Sequence, residues 1–146
     1  MTASHTDLLA RLNADLPPTG ILLGAEILEL DPSGRVRMSF VATPEFCNPN
    51  GTVQGGIVAA MLDDAAEMAC VADAGKRIFV ATIEMKVSFL LPAKAGKLYA
   101  EGRVIKRGRM IAFLEADLIR WRRPAPCAYD LHRCAARILN NLRGSE

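Results

Sequence analysis

Apolar positions recur along this chain with two different periods, and the switches between them mark its elements. Between Asp7 and Leu16, Leu8, Leu9 and Leu12 fall on one side at helical spacing, which predicts a short amphipathic helix. Pro17-Pro18-Thr19-Gly20 ends it. Ile21 to Leu30 is an apolar run that reads as a strand. In Asp31-Pro32-Ser33-Gly34 the Asp leads, the Pro presets the next φ and the Gly closes, as a type I turn prefers. Arg35 to Phe40 then alternates, with Val36, Met38 and Phe40 facing one way, so the two strands and the turn make a hairpin. From about Gly56 to Asp73 the apolar residues run round most of a helical circumference, and only Asp63, Asp64, Glu67 and Asp73 interrupt them. A helix of that kind is enclosed rather than laid on a surface. Phe79 to Leu91 reads as a long strand closed by Pro92. Leu98 to Lys106 and Ile111 to Trp121 read as two more, joined through the tight loop Arg107-Gly108-Arg109. Cys127 to Leu139 fits a final strand or a helix, and strand is preferred.

This order predicts an α+β protein: one antiparallel β-sheet wrapped around one long central α-helix, in a single domain over residues 1–146. A sheet curled round one helix leaves an edge or a face to be covered, which points to a homo-oligomer. Composition narrows the picture further. The chain is 51% hydrophobic but only 5% aromatic, so its core is aliphatic. Charged residues make up 23% and the formal net charge is +2, which argues against disorder and against an electrostatic nucleic-acid binder. Arg120, Arg122 and Arg123 flank Trp121, but one aromatic is too few for a base-stacking surface. No segment reaches the roughly 18–20 uncharged apolar residues that span a bilayer. The start, Met1-Thr2-Ala3-Ser4-His5, lacks a signal peptide's basic and apolar regions, so a cytoplasmic protein with no membrane partner is expected. The spacing of Cys47, Cys70, Cys127 and Cys134 matches no zinc framework, and these cysteines are expected as free thiols. His5 and His132 lie outside every motif.

The chemistry concentrates where Asn48-Pro49-Asn50-Gly51-Thr52-Val53-Gln54-Gly55-Gly56 runs into the central helix. A helix N-terminus presents unpaired N–H groups and a partial positive charge, and glycines let a ligand oxygen come close to them. About two turns further on stand Asp63 and Asp64. Such a place suits a carbonyl or an anion, with a carboxylate nearby for acid–base work. Glu67, one turn beyond Asp63, adds like charge, and burial beside another carboxylate raises a pKa. Each residue also has a plainer reading. Gly55-Gly56 suits close helix–sheet packing, Asn48 suits a turn, and Thr82 and Glu84 suit the polar face of one strand. Lys106, Arg107 and Arg109 suit a soluble hairpin tip.

Three blocks, in this order, carry a resemblance. They are Asn48…Gln54-Gly55-Gly56…Asp63, then Ala81-Thr82-Ile83-Glu84-Met85-Lys86-Val87-Ser88-Phe89-Leu90-Leu91-Pro92-Ala93, then Val104-Ile105-Lys106-Arg107-Gly108-Arg109-Met110-Ile111-Ala112. From about Leu23 to Arg120 the chain resembles the hotdog-fold acyl-CoA thioesterases of the phenylacetate-pathway type. The resemblance implies a dimer or a tetramer built as a dimer of dimers. The reaction it implies is hydrolysis of an acyl-CoA to a carboxylate and free coenzyme A. It implies no metal and no separate cofactor, since coenzyme A is part of the substrate. It makes Asp63 the catalytic carboxylate, as general base or nucleophile, and Gly55 the backbone N–H donor to the thioester carbonyl. Asn48 and Gln54 would orient the thioester, and Thr82 would hold the water. Glu84, Phe89 and the hairpin Lys106, Arg107, Gly108, Arg109, Met110 and Ile111 would contact coenzyme A. Loop and helix start of one subunit would face Asp63 of the other. Two departures stand out. Many members have His where this chain has Gln54, which cannot titrate, and Arg122-Arg123-Pro124-Ala125-Pro126 differs from the usual pattern. The missing His favours an alternative, a non-catalytic acyl-CoA-binding protein. A dehydratase would call for a His base that neither histidine supplies.

Overall fold

The computed structural model of the chain describes residues 5–119 together with the backbone of 134–143. The Arg120–Arg123 cluster, Cys127 and His132 lie outside the described residues. The elements run α1 (His5–Ala14), α2 (Pro18–Leu22), β1 (Glu26–Asp31), β2 (Arg35–Ala42), a 3₁₀ turn (Pro44–Phe46), α3 (Gly55–Ala74), β3 (Phe79–Phe89), β4 (Gly96–Arg107), β5 (Ile111–Ile119) and β6 (Cys134–Arg143). All the strands join one antiparallel sheet in the order β1-β2-β4-β5-β6-β3, wrapped on α3, which is the hotdog arrangement. The last segment is a strand, as preferred, through Cys134–Arg143. No helix among the described residues is long and apolar enough to cross a membrane.

The expected strand over Ile21–Leu30 begins only at Glu26. Pro18 instead opens the short helix α2, where a missing N–H and a fixed φ cost nothing. Gly24 ends that helix in the left-handed region, at φ 59°. The Ala25 N–H donates to Gly20 O and the Gly24 N–H to Ile21 O, the paired bonds of a Schellman cap. The Asp31–Gly34 turn forms as expected: the Gly34 N–H donates to Asp31 O at 3.0 Å, and the Ser33 N–H to the Asp31 carboxylate at 2.8 Å.

The core lies between α3 and the concave face of the sheet. Val58, Met61, Leu62, Ala65, Ala66, Ala69 and Cys70 of α3 are buried against Val36, Met38 and Phe40 of β2, Leu98 and Ala100 of β4, and Leu114, Ala116 and Leu118 of β5. Small residues in the middle of α3 let the helix sink deep. At Gly102 of β4 a Cβ would run into the Ala65 carbonyl oxygen, so that glycine, rather than Gly55-Gly56, is the one close helix–sheet packing requires. The convex face is charged instead. Arg37 pairs with Glu29 and Glu101, both at 3.2 Å, and Arg103 with Glu115 at 2.6 Å and Asp117 at 2.8 Å. Period-two alternation sorts the two sets to opposite faces.

Candidate active site

α3 starts where the sequence places it. The Gln54 N–H donates to Phe46 O and the Val53 N–H to Ala93 O, both at 2.8 Å, so the segment entering the helix is pinned from two sides. The first N–H donating within the helix is that of Ile57, to Gln54 O at 2.9 Å. The Gly55 and Gly56 N–H groups precede it and have no acceptor inside the helix. The Gln54 side chain is exposed and makes no capping bond. A Cβ on Gly56 would meet nothing within 4 Å, while one on Gly55 would meet the Phe89 ring at 3.3 Å. Phe89, at the end of β3, therefore lies over the helix start.

Asn48 closes its own loop. Its Oδ1 accepts from the N–H groups of Asn50 at 3.0 Å and Thr52 at 3.2 Å, and its Nδ2 lies 2.9 Å from Thr52 Oγ1. Gly51 holds φ 73° at the tip. The plain turn role is thus filled, and within this chain it occupies the amide that the resemblance gives to the substrate. Thr52 is the partner that sequence reasoning missed.

The Thr82 hydroxyl donates to Asp63 Oδ1 at 2.8 Å. This bond joins α3 to β3 on an exposed side of the chain, and β3 is an edge strand. It also lies beside a β-bulge. Thr82 pairs with Asn140 and Glu84 with Leu139, which leaves Ile83 as the extra residue. The one-residue bulge reverses the alternation along β3, so Glu84 faces away from Thr82, and the expectation that the two share a strand face does not hold.

Two more carboxylates of the helix, Asp64 and Glu67, line a cavity under α1 and α2. Burial, then the charge of Asp63, raises the Asp64 carboxyl to about 6. Burial, then Asp64 and Asp63, raises Glu67 to about 7.

The basic hairpin sits at the far end of α3. Arg107 forms an ion pair with Asp73 in the last turn of that helix, so its charge serves the fold. A second bulge, at Ile105, sets Lys106 opposite Phe113 on the outer face. Lys106, Gly108, Arg109, Met110, Ile111 and Phe113 line an open depression of about 450 Å³. The sequence-predicted residues therefore gather in three places along α3. Asn48, Gln54, Gly55 and Phe89 stand at its start, Asp63 and Thr82 at its middle, and the hairpin at its end. Among the described residues Glu84 makes no hydrogen bond or ion pair with any of these groups. Among the described residues, no three His, Cys, Asp or Glu side chains cluster as metal ligands, and Cys47 and Cys70 are free thiols.

A family model for the thioesterase superfamily matches residues 50–124, from the loop before α3 past the end of β5. The chain belongs to the thioesterase superfamily. Thioester hydrolysis is accordingly its reaction class. Human acyl-coenzyme A thioesterase 13 is 29% identical to this thioesterase over 98 residues, 66% of the chain and 69% of the relative. A phenylacetic acid degradation-related protein of Ralstonia eutropha JMP134 is 29% identical, with a TM-score of 0.76 over 93% of this chain and 99% of its own. A thioesterase family protein of Silicibacter pomeroyi is 26% identical, with a TM-score of 0.73 over 95% and 96%. The E. coli PaaI protein, at 16% identity, shares the fold with a TM-score of 0.74 over 100% and 97%.

Proposed function

We propose that this thioesterase hydrolyses a compact acyl-CoA at a site completed by two subunits. One subunit would give Asp63 and Thr82, and the other the helix start with Gly55. The observation that carries this reading is a length. Asp63 lies eight residues beyond Gly55 on one unbroken helix, about 12 Å along its axis at 1.5 Å per residue. A carbonyl oxygen held by the Gly55 N–H is then out of reach of a water on Asp63 of the same chain. A second copy, related by a two-fold axis, brings each carboxylate to the other's helix start and makes two equal sites. Among the described residues the outer edge of β3 has no strand partner, and Phe79, Ile83 and Phe89 are exposed along it, which supports such pairing.

In the reaction, the Asp63 carboxylate takes a proton from a water that the Thr82 oxygen helps to hold. The water oxygen bonds to the thioester carbon, and charge gathers on the carbonyl oxygen. The Gly55 N–H and the positive end of α3 stabilise that charge. The C–S bond then breaks, and the sulfur of coenzyme A receives the proton from Asp63. Attack by Asp63 itself, through an anhydride, uses the same atoms. Lys106 and Arg109 offer cations to the coenzyme's phosphates. Gln54 adds at most an orienting hydrogen bond. The test is thiol release across a panel of acyl-CoAs, with native mass and activity followed on dilution. Activity that persists in a form shown to be monomeric would overturn the shared site.

A further inference from the structure

A cavity of about 220 Å³ lies between α1, α2, α3 and the first two strands. Leu12, Ile27, Met38 and Val71 give it apolar walls, and Asp64 and Glu67 enter it from α3. An apolar hole of about 150 Å³ takes a benzene ring, so this one takes roughly six to eight heavy atoms. It adjoins the reacting centre on two elements. Glu67 stands one turn beyond Asp63 on α3, and Phe79, also in the lining, stands three residues before Thr82 on β3.

Resting on the thioesterase reading above, we propose that this cavity receives the far end of the acyl group. It would select compact acyl groups that end in a hydrogen-bond donor, a hydroxyl or a protonated amine, held by Asp64 and Glu67. Among the described residues neither carboxyl has a hydrogen-bond or ion-pair partner, whereas Asp15, at the same cavity, is paired with Arg77. A plain alkyl end would strip water from both carboxyls and return nothing, and buried acceptors left unpaired are costly. A donor at that end satisfies them.

The experiment compares non-hydrolysable S-hexyl-CoA, S-(6-hydroxyhexyl)-CoA and S-(6-aminohexyl)-CoA by titration calorimetry. The two donor-tipped compounds should bind about tenfold more tightly than the plain one, as one hydrogen bond to a charged group allows. Glu67→Leu should erase most of that preference and tighten S-hexyl-CoA. Glu67→Gln, which keeps the shape, should retain more of the preference for the hydroxyl than for the amine. Leu16→Trp, filling the cavity from its half-buried wall, should weaken all three. Equal affinities in the wild type, or a preference that survives Glu67→Leu, would overturn the proposal. The matching thioesters are assayed separately for thiol release. No release with the binding preference intact would overturn hydrolysis and uphold the cavity's role.

Discussion

Asp63 and Asp64 are neighbours in sequence, yet the two sides of α3 treat them differently. Asp63 turns to the open edge strand and accepts a hydroxyl hydrogen bond from Thr82. Asp64 turns inward to a cavity, with Glu67 beside it and its own pKa raised by burial. One side offers a carboxylate already held in place where a second molecule can approach. The other offers carboxyls in want of a partner. What separates a candidate base from a candidate recognition group here is the element packed alongside, since both stand on the same turn of the same helix.

Neutralising each carboxylate in turn tests this difference most directly. Asp63→Asn should lower kcat by about 10²- to 10⁴-fold, the usual worth of a general base, with the melting temperature little changed. Asp64→Asn should act more on KM and on substrate choice than on kcat. The reverse pattern in steady-state kinetics would exchange their roles.

A mixing experiment asks whether Asp63 serves the neighbouring subunit. Inactive Gly55→Pro subunits, which lack the N–H assigned to the carbonyl oxygen, and inactive Asp63→Asn subunits, allowed to exchange, should recover roughly a quarter of wild-type activity. About half of the dimers are then mixed, and each holds one intact site. No recovery, with exchange confirmed by native mass spectrometry, would put the site within one chain. If Asn48→Ala alone stays fully active, its amide serves only the loop bonds to Asn50 and Thr52.

Thr82 is expected to matter less. Thr82→Ala removes a hydrogen bond to a charged carboxylate, worth about 1.5–3 kcal/mol when buried and less at this exposed place, and should lower kcat by up to about tenfold. Thr82→Ser should restore it. Equal kcat in all three would leave the hydroxyl a purely structural tie between α3 and β3.

The inward side makes its own prediction in pH. Burial and the neighbouring Asp64 and Asp63 raise the Glu67 pKa in the folded protein from its ordinary 4.5 to about 7, so between those values the folded protein binds more protons than the unfolded chain. Stability should therefore fall as pH rises through that window and level off above it. After allowance for partial exposure, the loss is on the order of 1–2 kcal/mol. Glu67→Gln should flatten much of that slope in urea titrations from pH 4.5 to 7.5, leaving the smaller share of Asp64. An unchanged slope would mean that the cavity side is as well hydrated as the Asp63 side.

Much of this was legible in the chain itself. The enclosed helix follows from apolar residues on nearly every side of it, the hairpins from alternation around Asp31–Gly34 and Arg107–Arg109, and the helix start from Gly55-Gly56 after a turn-rich loop. These are local signals, and local signals survive in one dimension. The missed helix α2 was local too: Pro at its first position and Gly24 just past its end spell it out, but the apolar run from Ile21 onward reads more loudly as a strand. Other features needed the fold. Gly102 is required because the Ala65 backbone passes over it, and the two residues are 37 apart in sequence. Arg107 looks like a free cation until Asp73 is brought beside it. The bulge at Ile83 turns Glu84 away from Thr82, and strand pairing alone decides that. The placement of charge, the start of the long helix and the need to cover the sheet's edge can be read from neighbouring residues along the chain. Which carboxylate of α3 meets a hydroxyl and which ones line a cavity cannot, because that depends on which distant strand or helix lies against each side of α3.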